Sequence, residues 1–206
     1  MPVPNPRSIR AFRSAKAFEA WLAAHHDQET EVYLRIYKKG TTTPTVTNAE
    51  AVDVALCWGW IDGIRKAYDA ESFLQRFTPR GRKSIWSQIN RNHVARLTAA
   101  GRMTAHGAAQ VAAAKADGRW DAAYAGSRTM TFPADLERAI RANPAARATF
   151  AELSKQNLYA LAFRLANLKT AASREKKIVA FVEMLARGET PHPNRRPPRP
   201  APRKRA

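Results

Sequence analysis

Two short stretches concentrate the side chains able to bind or react. The first reads Ala55-Leu56-Cys57-Trp58-Gly59-Trp60-Ile61-Asp62-Gly63. The second reads Arg76-Phe77-Thr78-Pro79-Arg80, with Lys83-Ser84-Ile85-Trp86-Ser87 and Asn90 behind it. Pro79 cannot donate to a sheet ladder, so a strand is expected to end there. Ser84 stands where it can cap a following helix. Unpaired backbone N–H groups, the positive end of the helix dipole and the Ser84 and Ser87 hydroxyls would then converge, which suits an anion. Arg76 and Arg80 can add bidentate contacts to a phosphate or carboxylate. Trp58, Trp60 and Trp86 can wall a pocket or stack on a base or sugar, and Asp62 can orient a ligand or pair with Arg65 or Arg80. The candidate ligand-binding set is therefore Trp58, Trp60, Asp62, Arg76, Arg80, Ser84, Trp86, Ser87 and Asn90. Most have a plain structural alternative: tryptophans as core, Ser84 as a cap alone, the arginines as solvated charges and Asp62 in an Asx-turn or salt bridge.

Other chemistries find less support. No Walker glycine pattern occurs, so nucleotide hydrolysis is not indicated. His93 shares a helical face with Ile85, Ile89 and Leu97, which favours a structural imidazole over a general base. His106 and the pair His25-His26 read as exposed, and neither HxxxH nor HExxH spacing is present, so no metal is expected. Cys57, the one cysteine, lies between Leu56 and Trp58 and reads as buried and inert. It rules out an intramolecular disulfide and a multi-cysteine cluster. No cofactor is implied.

The elements that must position these residues can be read locally. Ser14 can cap a helix carrying Phe18, Trp21 and Leu22. Val32–Tyr37 alternates and is rich in β-formers. Thr47 and Glu50 form a capping box that opens a helix to about Trp58. Trp60–Lys66 and Ser72–Thr78 read as two further strands, joined too closely for a parallel crossover, so the sheet is antiparallel or mixed. From Ser84 onward helices dominate: Ser84 to about Ala100, Thr104 to Asp117, Pro133 to Asn143, a stripe of Leu158, Leu161, Ala162, Leu165 and Leu168, and a last helix capped by Ser173 with Ile178, Phe181, Val182 and Leu185. The fold class is α+β: a small sheet with packed helices over 1–129, a helical unit over 130–190, and a tail over 191–206.

That tail holds six prolines, five arginines and one lysine without an acid, and supplies six of the eighteen net positive charges. Such a composition is expected to be disordered. It can hold a polyanion weakly and without sequence preference, and removing it is expected to leave the fold unchanged. Arginine outnumbers lysine 24 to 11, which a GC-rich genome also produces, so the charge alone assigns no partner. No apolar run approaches the ~20 residues of a membrane-spanning helix, and the first residues lack the apolar core of a secretory signal. A cytoplasmic location is expected.

The two motif segments, together with Gly101-Arg102-Met103, Gly107 and Gly118-Arg119-Trp120, closely resemble the YdeI/OmpD-associated family of bacterial proteins, also called bacteriocin-protection proteins. The resemblance runs from about Phe12 to Pro191, and Pro133–Gly188 looks like the segment for which the family is named. It implies an α+β fold, a soluble cytoplasmic protein and a link to envelope stress or bacteriocin tolerance, and it implies no reaction or cofactor. The expected function is thus a stress or bacteriocin-tolerance protein that binds a small anion or a protein partner. The alternatives are an enzyme acting on an anionic small molecule through Asp62, His93 or Ser84, and a non-specific nucleic-acid-associated protein.

Overall fold

The computed structural model describes residues 4–126, 129–168 and 170–193; the Arg/Pro-rich run from Asn194 onward lies outside them. The architecture is α+β. The chain divides into two units, Met1–Ala123 and Tyr124–Ala206.

In the first unit a mixed four-stranded sheet forms in the order β1-β2-β4-β3. The two-residue β1 (Ile9–Arg10) lies parallel to β2 (Val32–Tyr37), and β4 (Ser72–Pro79) is antiparallel to both β2 and the edge strand β3 (Trp60–Ala67). Alternation puts Val32, Leu34, Ile36 and Phe77 on one face, where they meet Phe18 and Leu22 of α1 (Ala15–His25) and Ala51, Val54 and Ala55 of α2 (Asn48–Cys57) in one buried cluster. Each of the larger side chains among them contributes about 1.5–3 kcal/mol by leaving water. The caps read from the sequence are in place. Ser14 Oγ accepts from Ala17 N–H, and Thr47 and Glu50 make both bonds of the capping box. Between Asp62 and Arg65, Gly63 and Ile64 together oppose the single residue Arg76, and Gln75 Nε2 donates to the Gly63 carbonyl at 2.9 Å. This bulge twists the exposed edge and discourages pairing with another chain. Against α2 pack α3 (Gln88–Ala99) and α4 (Ala105–Ala116), whose Val94, Leu97 and Ala114 share a further buried cluster with Leu56, Cys57 and Trp86.

The second unit is helical: α5 (Ala134–Ala142), α6 (Pro144–Ala151), α7 (Lys155–Ala166) and α8 (Ala171–Ala186). The break at Asn143-Pro144 also starts a helix. Asn143 Oδ1 accepts from Ala146 N–H and Pro144 takes the first helical position, where its missing N–H costs nothing. Leu136, Ile140, Leu161, Leu165, Phe181 and Leu185 form the core. Arg174 bonds Asp135 at 2.6 and 2.9 Å, tying α8 to α5.

Two expectations need correction here. The last helix is capped by Thr170, whose hydroxyl accepts from Ser173 N–H, because capping belongs to the residue three before the bonded amide. The unit also does not end at residue 190. Asn157, fully buried on α7, accepts from His192 N–H at 2.9 Å and donates to the His192 carbonyl at 3.1 Å.

Candidate functional site

The Cys57-Trp58-Gly59 segment is the joint between α2 and α4. Gly59 turns the chain out of α2 at φ +72°, where a side chain is strained. A Cβ there would also lie 2.9 Å from Gln110 Cγ and 3.1 Å from the His106 carbonyl. Gly107 lets the first turn of α4 lie directly on the end of α2, since a Cβ would overlap the Cys57 and Leu56 carbonyl oxygens. The Thr104 hydroxyl donates to the Cys57 carbonyl at 2.6 Å and, as the cap of α4, accepts from Gly107 N–H. Trp58 stacks on His106 with ring centres 5.8 Å apart and meets His26 at 5.0 Å. His26 and His106 are themselves in ring contact at 4.0 Å, and His25 lies against Trp21 at 5.2 Å, so His25 and His26 are both half-buried where exposure was expected, while His106 is exposed. Trp60 is buried in the sheet core, edge-on to Trp21. Burial holds the Cys57 thiol above its ordinary pKa, which suits an inert residue.

The segment from Arg80 to Asn90 departs from its expected form. No helix begins at Ser84. Ser84 closes a turn, donating its N–H to the Gly81 carbonyl and accepting from Gly81 N–H through its hydroxyl. The helix starts at Gln88, behind Ser87, whose hydroxyl accepts from Asn90 N–H. Tertiary burial decides between the two serines. Trp86 is 1 % exposed in the cluster with Leu56, Val94 and Leu97, and a non-helical approach through residues 85–87 delivers it there. Arg80 does not reach into an open cleft either. It is 5 % exposed, its guanidinium sits 3.5 Å from the Trp86 ring centre, and Nη1 donates to the Ile85 carbonyl. Trp86 is edge-on to Trp120 at 4.9 Å, and Arg91 and Lys115 lie over the Trp120 ring at 5.1 and 5.5 Å. The result is a ladder of cations and indoles, each contact worth roughly 0.5–2 kcal/mol.

The structure therefore brings Arg80, Ser84, Trp86, Ser87 and Asn90 into one loop–helix junction. It does not bring Arg76 and Asp62 to them. Arg76 pairs with Glu31 at 2.7 Å on the sheet. Asp62 is exposed on β3 and, among the described residues, forms no ion pair with Arg65 or Arg80. His93 donates through Nδ1–H to an Asp53 carboxylate oxygen at 2.8 Å, and Arg96 donates to both carboxylate oxygens at 2.7 Å. Burial raises the Asp53 pKa, but the hydrogen bonds from Arg96 and His93 outweigh it and hold the carboxyl below its ordinary value. This network ties α2 to α3.

A formed cavity lies in the helical unit. A cleft of about 310 Å³ is lined by Met130, Phe132, Glu137, Phe150, Lys155, Leu158, Tyr159 and Ala162, at the low end of the range for small-molecule sites. Phe132 and Phe150 make a tilted pair at 5.2 Å, and Tyr159 leans on Phe163 at 5.7 Å. Burial, with Tyr124 nearby, raises the Tyr159 pKa, so its phenol keeps its proton and can donate. The Glu137 carboxylate is held by Arg141 at 2.6 Å, whereas Lys155, first residue of α7, has no ion pair among the described residues. Sequence reasoning found Leu158 and Ala162 only as parts of an apolar stripe and passed over the rest. A second cleft of about 270 Å³ between α3 and α4 is apolar apart from Thr98 and Lys115. Neither cleft is lined by any of the nine residues singled out from the sequence.

Among the described residues no helix is long and apolar enough to cross a membrane. Residues 10–110 match the model of a domain of unknown function, DUF8412, and residues 129–188 match the family described as Bacteriocin-protection, YdeI or OmpD-Associated. No curated protein and no solved structure matches the chain. Both tryptophan-bearing motifs thus fall in the first match, and the whole cleft from Met130 to Ala162 falls in the second. Residues 129–188 thus carry the domain described as Bacteriocin-protection, YdeI or OmpD-Associated.

Proposed function

We propose that the protein is a cytoplasmic ligand-binding protein of bacteriocin or envelope-stress tolerance, and that it takes a small molecule into the cleft of its helical unit. One observation carries this reading: the aromatic-walled cleft with few polar groups lies wholly inside the matched family segment. Wall chemistry of this kind, mostly apolar with a few placed polar groups, is what holds small ligands in orientation. The test is a thermal-shift screen of small molecules on the full chain and on Leu158→Trp, which fills the cleft from one wall. Ligands that stabilise the parent and not the variant support the reading. A bacteriocin-sensitivity assay in cells carrying either form links the site to tolerance, and equal protection by both would separate tolerance from the cleft.

A second reading keeps an anion at the junction of Arg80, Ser84, Trp86, Ser87 and Asn90. It is favoured by the cation–indole ladder and by the exposed Arg82 and Lys83 in the same loop. Ligand-induced stabilisation lost in Arg82→Ala with Lys83→Ala, and kept in Leu158→Trp, would select it.

A further inference from the structure

We infer that the cleft of the helical unit selects a small carboxylate with an aromatic body, with Lys155 as the residue that sets the charge preference; this rests on the cleft being a ligand site. Three features fix the class. The first is size. At about 30 Å³ for each water-sized group, the 310 Å³ space takes roughly ten such groups. That suits a ring with a short side chain. The second is the wall. Phe132, Phe150 and Tyr159 present rings, with Met130, Leu158 and Ala162 filling between them. Aromatic bodies gain edge-to-face contacts on such a wall beyond the burial of area. The Phe132–Phe150 pair is itself tilted, at 52°.

The third feature is charge. The cleft holds one carboxylate and one ammonium, and they are not equivalent. Glu137 is paired through one oxygen with Arg141, one turn along α5, so the two charges offset each other. Lys155 has no ion pair among the described residues, and it starts a helix with no acid in its first turn. The free charge in the cleft is therefore positive. The protonated Tyr159 phenol adds a donor and no competing negative charge. A carboxylate bonded to Lys155 gains a charge-assisted contact, while its neutral amide does not. A cation in the same place meets an ammonium whose only carboxylate neighbour in the cleft is already engaged.

The test uses three probes of one shape on the full chain: phenylacetate, phenylacetamide and phenethylamine. Binding is read from the ring resonances of Phe150 and Tyr159. Phenylacetate is expected to bind about tenfold or more tightly than the amide, and phenethylamine more weakly than both. Lys155→Gln should bring phenylacetate and phenylacetamide to nearly equal affinity without loss of the amide. Lys155→Glu should reverse the order in favour of phenethylamine. Lys155 is exposed at the rim, so neither change threatens the fold. If the amide binds as well as the acid in the parent, or if Lys155→Gln leaves their ratio unchanged, the class assignment fails while the cleft stands as a ligand site. If none of the three moves the Phe150 and Tyr159 resonances at millimolar concentration, the cleft itself fails as the site.

Discussion

Ending the chain after Glu189, and separately after Pro193, distinguishes the folded part of the C-terminal region from the basic run behind it. Asn157 has no exposed surface, and both ends of its amide bond the main chain of His192. Thr190 Oγ1 also donates to the His192 carbonyl at 2.7 Å. Removing residues 190–206 takes away two hydrogen bonds to a buried amide, each worth about 0.5–1.5 kcal/mol net. The loss is about 1–3 kcal/mol, at the lower end if water refills the space. In a unit of this size each kcal/mol moves the melting midpoint by about 4–8 °C, so truncation after Glu189 should lower it by roughly 5–20 °C. Truncation after Pro193 keeps both bonds and should change it by no more than about 2 °C. The assay is thermal denaturation followed by circular dichroism on the full chain and both truncations, with Asn157→Leu as a fourth sample expected to behave like the shorter form or worse. An unchanged midpoint after Glu189 would refute the Asn157–His192 pairing. A large drop after Pro193 would mean that the basic run packs on the unit.

Gly107→Ala should cost about 1–3 kcal/mol or more, because its Cβ meets backbone carbonyls of Leu56 and Cys57 that cannot rotate away; denaturant unfolding measures it, and Gly101→Ala, strained but with open space around it, is the control for backbone effects alone. The Asp53 and Asp135 carboxyls are both held below their ordinary pKa. Burial raises the Asp53 pKa, but hydrogen bonds from Arg96 and His93 outweigh it, while Asp135 is lowered chiefly by its bond to Arg174. Their stabilisation is present above the unfolded carboxylate range near pH 4 and is lost as pH falls through the lowered folded values. Stability measured from pH 6 downward should therefore decline less steeply in Asp53→Asn and Asp135→Asn than in the parent. Six cations lie beyond Pro193, so the log–log salt slope of any polyanion binding should shrink by up to about five on truncation there, as read by fluorescence anisotropy with a labelled oligonucleotide.

What the sequence shows well is what neighbouring residues decide among themselves. The Thr47–Glu50 box, the Ser14 and Thr104 caps and the alternation of Val32–Tyr37 each rest on contacts a few residues apart. Two-residue β1 has no periodicity to read and exists through its pairing with Tyr33 and Leu34. Ser84 and Ser87 are equally good caps by local chemistry, and only the burial of Trp86 chooses Ser87. The two motifs drew attention through rare residues, and most of those residues are spent on packing: Gly59 and Gly107 at a helix crossing, Trp60 in the core, Arg80 against Trp86. The cleft stayed hidden for the opposite reason. Phe150, Leu158 and Tyr159 look like ordinary helix-face residues, Phe132 lies in the connection ahead of α5, and periodicity does not reveal that together they line an open cleft.

The most direct test is a crystal structure of the full chain soaked with the strongest ligand from the thermal-shift screen, or with phenylacetate. Electron density for the ligand between Phe132, Phe150 and Tyr159, with its carboxylate toward Lys155, is the predicted result. Density at the Arg80–Asn90 junction with an empty cleft in the helical unit would contradict it.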